Sequence, residues 1–256
     1  MSEEISYKQE QRIATITFNR PKVLNALTIP MLDELEGMID RLNEDESCKV
    51  IIITGEGRSF AAGADISCMK EASPQEAMRF SKTTTRLFRK IELARPFTIA
   101  AVNGYALGGG LELALACDVR VASDTAKLGL TETAIGSFPG SGGTMRLPKL
   151  VGLGRAKELL ATAEKVPAAR AMELGMVEHI VPSDKLMEFC RELAKRICKN
   201  SRNAIADGKR LMTLSYEMDA EKACELMTFM IGMNYGSKDQ REGMRAFLEK
   251  REPHFE

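Results

Sequence analysis

Three short strand-like runs do most to limit what this chain can fold into: "KVIIITG" at 49–55, "FTIAAV" at 97–102 and "DVRVAS" at 118–123. The first is a continuous apolar run and the second is nearly so. Both read as strands covered on both faces, and the third as a strand beside them. Helical patterns stand between them. Apolar residues Met31, Leu32, Leu35, Met38, Ile39 and Leu42 recur at helical spacing, which predicts an amphipathic helix over 28–42. "SPQE" at 73–76 has the form of a capping box with a first-turn proline and predicts a second helix over 74–93. Strand, helix and strand at this spacing need crossover connections, so the core is expected to be an α/β sheet. "ISYKQ" and "RIATITFN" add two strand-like pieces before it, and 55–72 reads as a loop of small residues. From 152 to 250 the chain reads as almost wholly helical, punctuated by Gly154, Pro167, Gly175, Pro182 and Asn200. No polar linker precedes this stretch, so it is expected to be a second layer or subdomain rather than a detached domain.

Composition excludes several classes of function. Lys plus Arg and Asp plus Glu both number 36, so bulk charge selects neither nucleic acid nor anionic lipid. The start of the chain is acidic, with no basic leader, and no apolar run reaches the roughly 20 residues of a membrane span. A cytoplasmic, non-membrane protein is expected. The six cysteines form no CxxC pair and only His179 and His254 are present. Reduced thiols are therefore expected, and neither a disulfide scaffold nor a zinc site is.

Three constellations could carry chemistry. "SFAAGAD" at 59–65 leaves its backbone N–H groups unshielded by side chains. "NGYALGGGLELALACD" at 103–118 places Gly108, Gly109 and Gly110 at the start of a helix, where N–H groups lack intrahelical partners. Such a start can hold a phosphate or an oxyanion that forms during a reaction. The glycine spacing fits neither a dinucleotide fingerprint nor a P-loop, and Glu112 would repel a phosphate, so the oxyanion is favoured. The third is "GLTETAIGSFPGSGGTMRLP" at 129–148, which supplies Glu132. Taken singly, Glu112 also fits a helix-start acid and Glu132 a surface turn. Brought to one end of the sheet, they would form an acid and a base side by side.

"NRPKVLNAL", "SFAAGAD", "AAVNGYALGGGLELALACD", "IGSFPGSGGTMRL", "GMVEHIV" and "REGMRAFLEKREPHF", in that order, resemble the crotonase (enoyl-CoA hydratase/isomerase) superfamily over nearly the whole chain, and most closely short-chain enoyl-CoA hydratases. The resemblance implies an α/β crotonase (ClpP-like) spiral of repeated ββα units over 1–195, carrying the active site. It implies a C-terminal helical trimerisation region over 196–256. It also implies an oxyanion hole made by the N–H groups of Ala64 and Gly109, and a water held by Glu112 and Glu132, where many isomerases keep only one acid. Ala62, Ala64, Asp65, Ile66, Ser67 and Gly108 would line the acyl-CoA, with Lys22, Val23, Leu24 and Lys250 contacting its phosphates and pantetheine arm.

The implied activity is reversible syn hydration of a trans-2-enoyl-CoA to a 3-hydroxyacyl-CoA, in fatty-acid or related acyl-CoA metabolism. Glu112 is expected to be the base toward water and Glu132 the acid. The implied assembly is a homo-trimer or a hexamer. No metal or other cofactor is expected, coenzyme A being part of the substrate. Leu130-Thr131 before Glu132 and "ATAEKVPAARA" at 161–171 depart from close hydratases near the acyl pocket, for which Phe80, Leu87 and Phe138 are candidate lining residues. Alternatives are an enoyl-CoA isomerase, a hydratase for a branched or cyclic acyl group, or an RNA-binding protein on the same scaffold using Lys82, Arg86, Arg89 and Lys90. That basic stripe reads more simply as a solvated helix face.

Overall fold

A computed structural model describes residues 4–255; the acidic start at 1–3 lies outside the described residues. Its strands are β1 (Ile5–Glu10), β2 (Ile13–Phe18), β3 (Val50–Gly55), β4 (Ser59–Ala61), β5 (Phe97–Val102), β6 (Tyr105–Leu107), β7 (Val119–Ser123), β8 (Lys127–Gly129), β9 (Val166–Pro167) and β10 (His179–Val181). The helices are α1 (Ile29–Glu44), α2 (Ile66–Met69), α3 (Pro74–Glu92), α4 (Gly109–Ala116), α5 (Gly143–Val151), α6 (Leu153–Thr162), α7 (Ala168–Glu173), α8 (Leu186–Cys198), α9 (Arg202–Ser215), α10 (Ala220–Tyr235) and α11 (Lys238–Leu248).

The strands form two sheets, ordered β1-β2-β3-β5-β7-β10 and β4-β6-β8-β9. Each repeat sends its first strand into the large sheet and its second into the small one: β3 then β4, β5 then β6, β7 then β8. A helix follows each pair, and this is the spiral of ββα units expected from the resemblance. The pairing from β2 through β10 in the large sheet is parallel, and only β1 runs antiparallel to its neighbour.

Burial explains the apolar runs. Residues 51 and 53 of β3 belong to the main core with α1 and α3, while Val50 and Ile52 face a second cluster with Ile99, Ala101 and Val121. That second face is covered by α8 through Leu186, Cys190 and Ala194, so α8 runs across the expected boundary at 195/196. All six apolar positions of the 28–42 pattern are buried, and Thr28 caps the helix. The capping box is present, with Ser73 accepting from the Glu76 N–H and Glu76 from the Ser73 N–H.

Two expectations need correction. Residues 55–72 are not one loop: β4 and α2 lie within them, and Asp65 caps α2 by accepting from the Ser67 N–H at 3.2 Å. The stretch after 152 is not wholly helical, because β9 joins the small sheet and β10 closes the large one beside β7.

The close fit between sheet and helix is tightest at Gly110, where a side-chain carbon would stand 1.9 Å from the Ala61 carbonyl oxygen. Backbone must move to relieve that contact. Gly110→Ala is therefore expected to destabilise the protein by at least ~1–3 kcal/mol, read as a lower urea midpoint with an unchanged slope.

Candidate active site

The site is built where the small sheet hands over to α4. Gly108, at φ 52° and ψ −126°, turns the chain from β6 into the helix. Gly109 is the first helical residue, so its N–H has no partner four residues back. Opposite it runs the 62–65 loop, strapped by residues 24–27. Ala62 N–H donates to the Leu24 carbonyl (3.0 Å), Leu27 N–H to Gly63 (2.8 Å) and Asp65 N–H to Leu27 (3.0 Å). Among the hydrogen bonds of the described residues, neither the Ala64 nor the Gly109 N–H has an acceptor. The two segments approach closely: a side-chain carbon on Gly63 would lie 3.6 Å from the Gly109 nitrogen, and one on Gly109 3.8 Å from the Ala64 nitrogen.

Asn25 and Arg20 fix the strap. The buried Asn25 amide donates to the Ser59 carbonyl at 2.6 Å and accepts from the Arg20 N–H at 2.8 Å. The Arg20 guanidinium spans Asp65 (3.1 Å) and the Ala26 carbonyl (2.6 Å).

Glu112 projects from the first turn of α4 and is 2% exposed. Its Oε1 accepts from the N–H groups of Ser141 and Gly143, both at 2.8 Å. Burial pushes its pKa up, and those two donors together with the Arg146 charge oppose the rise. Glu132 begins a 3-10 turn, Glu132–Ile135. Its Oε1 comes within 3.0 Å of the place a Gly108 side-chain carbon would take, and its Oε2 is buried without a hydrogen-bond partner. Burial raises its pKa to about 7; its own backbone N–H opposes the rise and the Glu112 charge adds to it. The two carboxyls thus occupy different electrostatic settings. Glu112 is held by donors suited to an anion, and Glu132 is left as a group that keeps its proton near neutrality.

A cavity of about 460 Å³ opens beside this cluster, lined by Leu27, Ile29, Met69, Ala72 and Phe80, with Asp65, Cys68, Glu71, Glu76 and Arg79 among its polar groups. Leu27 joins it to the 62–65 loop through its bridge to Ala64. Of the candidate acyl-lining residues only Phe80 reaches it. Leu87 is packed in the core, a correction to the expectation, and Phe138 is 71% exposed.

The structure brings Ala62, Ala64, Gly108, Gly109, Glu112 and Glu132 together around the strap. Asp65 is committed to Arg20 and to capping α2, while Ile66 and Ser67 stand exposed on that helix. Lys22 and Val23 lie exposed in the 3-10 turn Pro21–Val23, with half-buried Leu24 after it. Lys250 lies beyond α11, exposed, and no hydrogen bond or ion pair joins it to the others. The residues missed from sequence are Ser141 and Gly143, whose signal was the small-residue stretch "PGSGG" itself, and Arg146, which carried none. The basic stripe of α3 is largely neutralised: Arg86 and Lys90 pair with Glu36, Lys90 with Asp40, and Arg89 with Glu92 and Glu217.

The enoyl-CoA hydratase/isomerase family model matches residues 8–256. The chain is 41% identical to crotonyl-CoA hydratase of Syntrophomonas wolfei over 99% of this chain and 98% of that protein. It is 40% identical to short-chain-enoyl-CoA hydratase of Clostridium acetobutylicum over 95% and 94%. The crystal structure of enoyl-CoA hydratase from Bacillus anthracis superposes with a TM-score of 0.94 at 36% identity, covering 98% of each chain.

Proposed function

This chain belongs to the enoyl-CoA hydratase/isomerase family, and from that premise we propose how it acts as an enoyl-CoA hydratase, a hydro-lyase adding water across the double bond of a 2-enoyl thioester. One observation carries the reading: two N–H groups without acceptors converge beside two carboxyls, one accepting from two backbone N–H groups and the other buried with an unpartnered oxygen and its pKa raised to about 7.

When water attacks C3, charge moves onto the thioester oxygen as an enolate. The Ala64 and Gly109 N–H groups, already in place, stabilise that charge by ~3 kcal/mol per donor. Glu112, ionised, takes the proton of the attacking water. Glu132, protonated, delivers its proton to C2 from the same face, giving the 3-hydroxyacyl-CoA. The step leaves Glu112 protonated and Glu132 ionised, transfer of that proton from Glu112 to Glu132 resets the pair, and the reverse sequence dehydrates. No metal or redox cofactor enters this scheme. The presence of both acids favours hydration over isomerisation, and the pairing of α3 cations with carboxylates argues against an RNA surface.

The exposed apolar residues of α9–α11, including Met212, Tyr216, Phe229, Met233 and Phe247, support the proposal of a homo-trimer or hexamer, since a patch of this kind normally finds a partner. No helix among the described residues is long and apolar enough to cross a membrane, and a cytoplasmic site of action is proposed on the family resemblance.

The test is loss of enoyl thioester absorbance with crotonyl-CoA. Turnover is expected, and kcat/KM should fall as pH rises through about 7, where Glu132 loses its proton. The same group affects stability. Its folded pKa lies above its ordinary 4.5, so the stability this one group contributes is fully present below 4.5 and is lost as pH rises through about 7. In Glu132→Gln that decline should shrink. Absence of turnover on any 2-enoyl-CoA would overturn the reading.

A further inference from the structure

Glu112 is oriented by a turn from another part of the chain, and that turn is itself gripped from behind. We infer that Arg146, clamped by Glu92, is a positioning residue for Glu112: it anchors the 141–143 turn whose N–H groups hold the carboxylate. The inference rests on the role proposed above for Glu112.

Arg146 lies on α5 and is 7% exposed. Its Nε and Nη2 donate to the two oxygens of Glu92 at 3.2 and 2.9 Å, a two-point contact that fixes the plane of the guanidinium. Nη1 then reaches the Ser141 carbonyl at 3.4 Å, and the N–H of the same residue donates to Glu112. The backbone between is shaped to admit the cation. Gly142 sits at φ 107°, and a side-chain carbon on it would fall 2.1 Å from Nη1. A second tie runs to α3, where the Thr84 and Ser141 hydroxyls share a hydrogen bond of 2.7 Å.

Helix α3 therefore holds the turn directly through Thr84, through Ser81 and Thr85 donating to the adjoining Gly140 carbonyl at 2.6 and 3.4 Å, and indirectly through Glu92. Burial alone would raise the Glu92 pKa, but Arg146 and Arg89 outweigh it and keep this carboxyl ionised. The charged groups set around Glu112 are Glu132 from the 3-10 turn and Arg146 from α5, with Glu92 of α3 behind the latter. Of these, only Arg146 favours the anion that a base must be. The pair is thus suited both to aiming the carboxylate and to keeping it deprotonated.

A double-mutant cycle tests this, with crotonyl-CoA as substrate and Arg146→Met and Arg146→Lys each made in the wild-type and Glu112→Gln backgrounds. Misplacing a catalytic group by about an ångström can cost ~10²-fold. In wild type, Arg146→Met is expected to lower kcat by about that factor, with KM within about threefold. Arg146→Lys should lower it ~10-fold, because one ammonium keeps the charge but cannot span Glu92 and Ser141 together. The acidic limb of kcat/KM should move to higher pH in Arg146→Met and less in Arg146→Lys. In the Glu112→Gln background each substitution should cost less than ~2-fold, since residues acting through one another are not additive.

Equal losses in the two backgrounds would mean a merely structural role and overturn the inference while leaving the hydratase reading intact. Full activity of Glu112→Gln alone would instead sink the role assigned to Glu112 and the inference with it. Should Arg146→Met lose its native circular dichroism, Arg146→Lys carries the same comparison.

Discussion

Glu112→Gln and Glu132→Gln are each expected to lower kcat for hydration of crotonyl-CoA by ~10²–10⁴-fold. The two fail for different reasons. A glutamine at 112 can still offer its carbonyl oxygen to the Ser141 and Gly143 N–H groups, so the turn stays in place. Its other terminus becomes an NH₂ that cannot take a proton from water. A glutamine at 132 resembles the protonated acid in shape and charge, and it gives the buried Oε2 position an N–H in place of an acceptor without a partner. It has no acidic proton to deliver to C2. The double variant should be little slower than the worse single, because neither acid works without the other. Full hydration activity in Glu132→Gln would end the two-carboxylate mechanism.

The second large effect concerns a single backbone hydrogen. Gly109→Pro should lower kcat by ~10²–10³-fold, the usual loss for one oxyanion donor, while Gly109→Ala should stay within about tenfold of wild type. Proline is accepted at the first position of a helix, where its missing N–H breaks no helical bond. Space is available too: the nearest foreign atom to a side-chain carbon on Gly109 is the Leu27 Cδ1 at 3.7 Å. Both variants should therefore fold with similar thermal midpoints, and the contrast between them isolates the N–H. Comparable kcat values for the proline and alanine enzymes would remove Gly109 from the oxyanion hole.

The features legible in the sequence were those carried by long or chemically specific patterns. Six apolar residues at helical spacing marked α1, the Ser73–Glu76 reciprocity marked the start of α3, and the apolar runs marked β3 and β5. The small sheet was invisible because its strands span two or three residues, too few for alternation to register. β10 was hidden similarly inside a helical texture, where "HIV" has no pattern of its own. At the site, Glu112 and Glu132 stood out as acids among small and apolar residues. Arg146 did not, since its partner Glu92 is far away in sequence and lies in a helix already rich in charge. Long-range ion pairs leave no periodic trace, and only the fold reveals which charges meet.

The division of each repeat between two sheets has a consequence for how such an enzyme can change. Cohesion resides in the large sheet, with its two buried faces, whereas the cavity wall hangs partly on α2 and the start of α3, where the lining residues Cys68, Glu71, Glu76 and Arg79 are exposed. Substitutions there meet solvent more than packed neighbours, so their cost in stability is small. On the proposed reading, a laboratory library confined to this rim is expected to shift acyl preference with few misfolded members, because the scaffold beneath it stays unaltered.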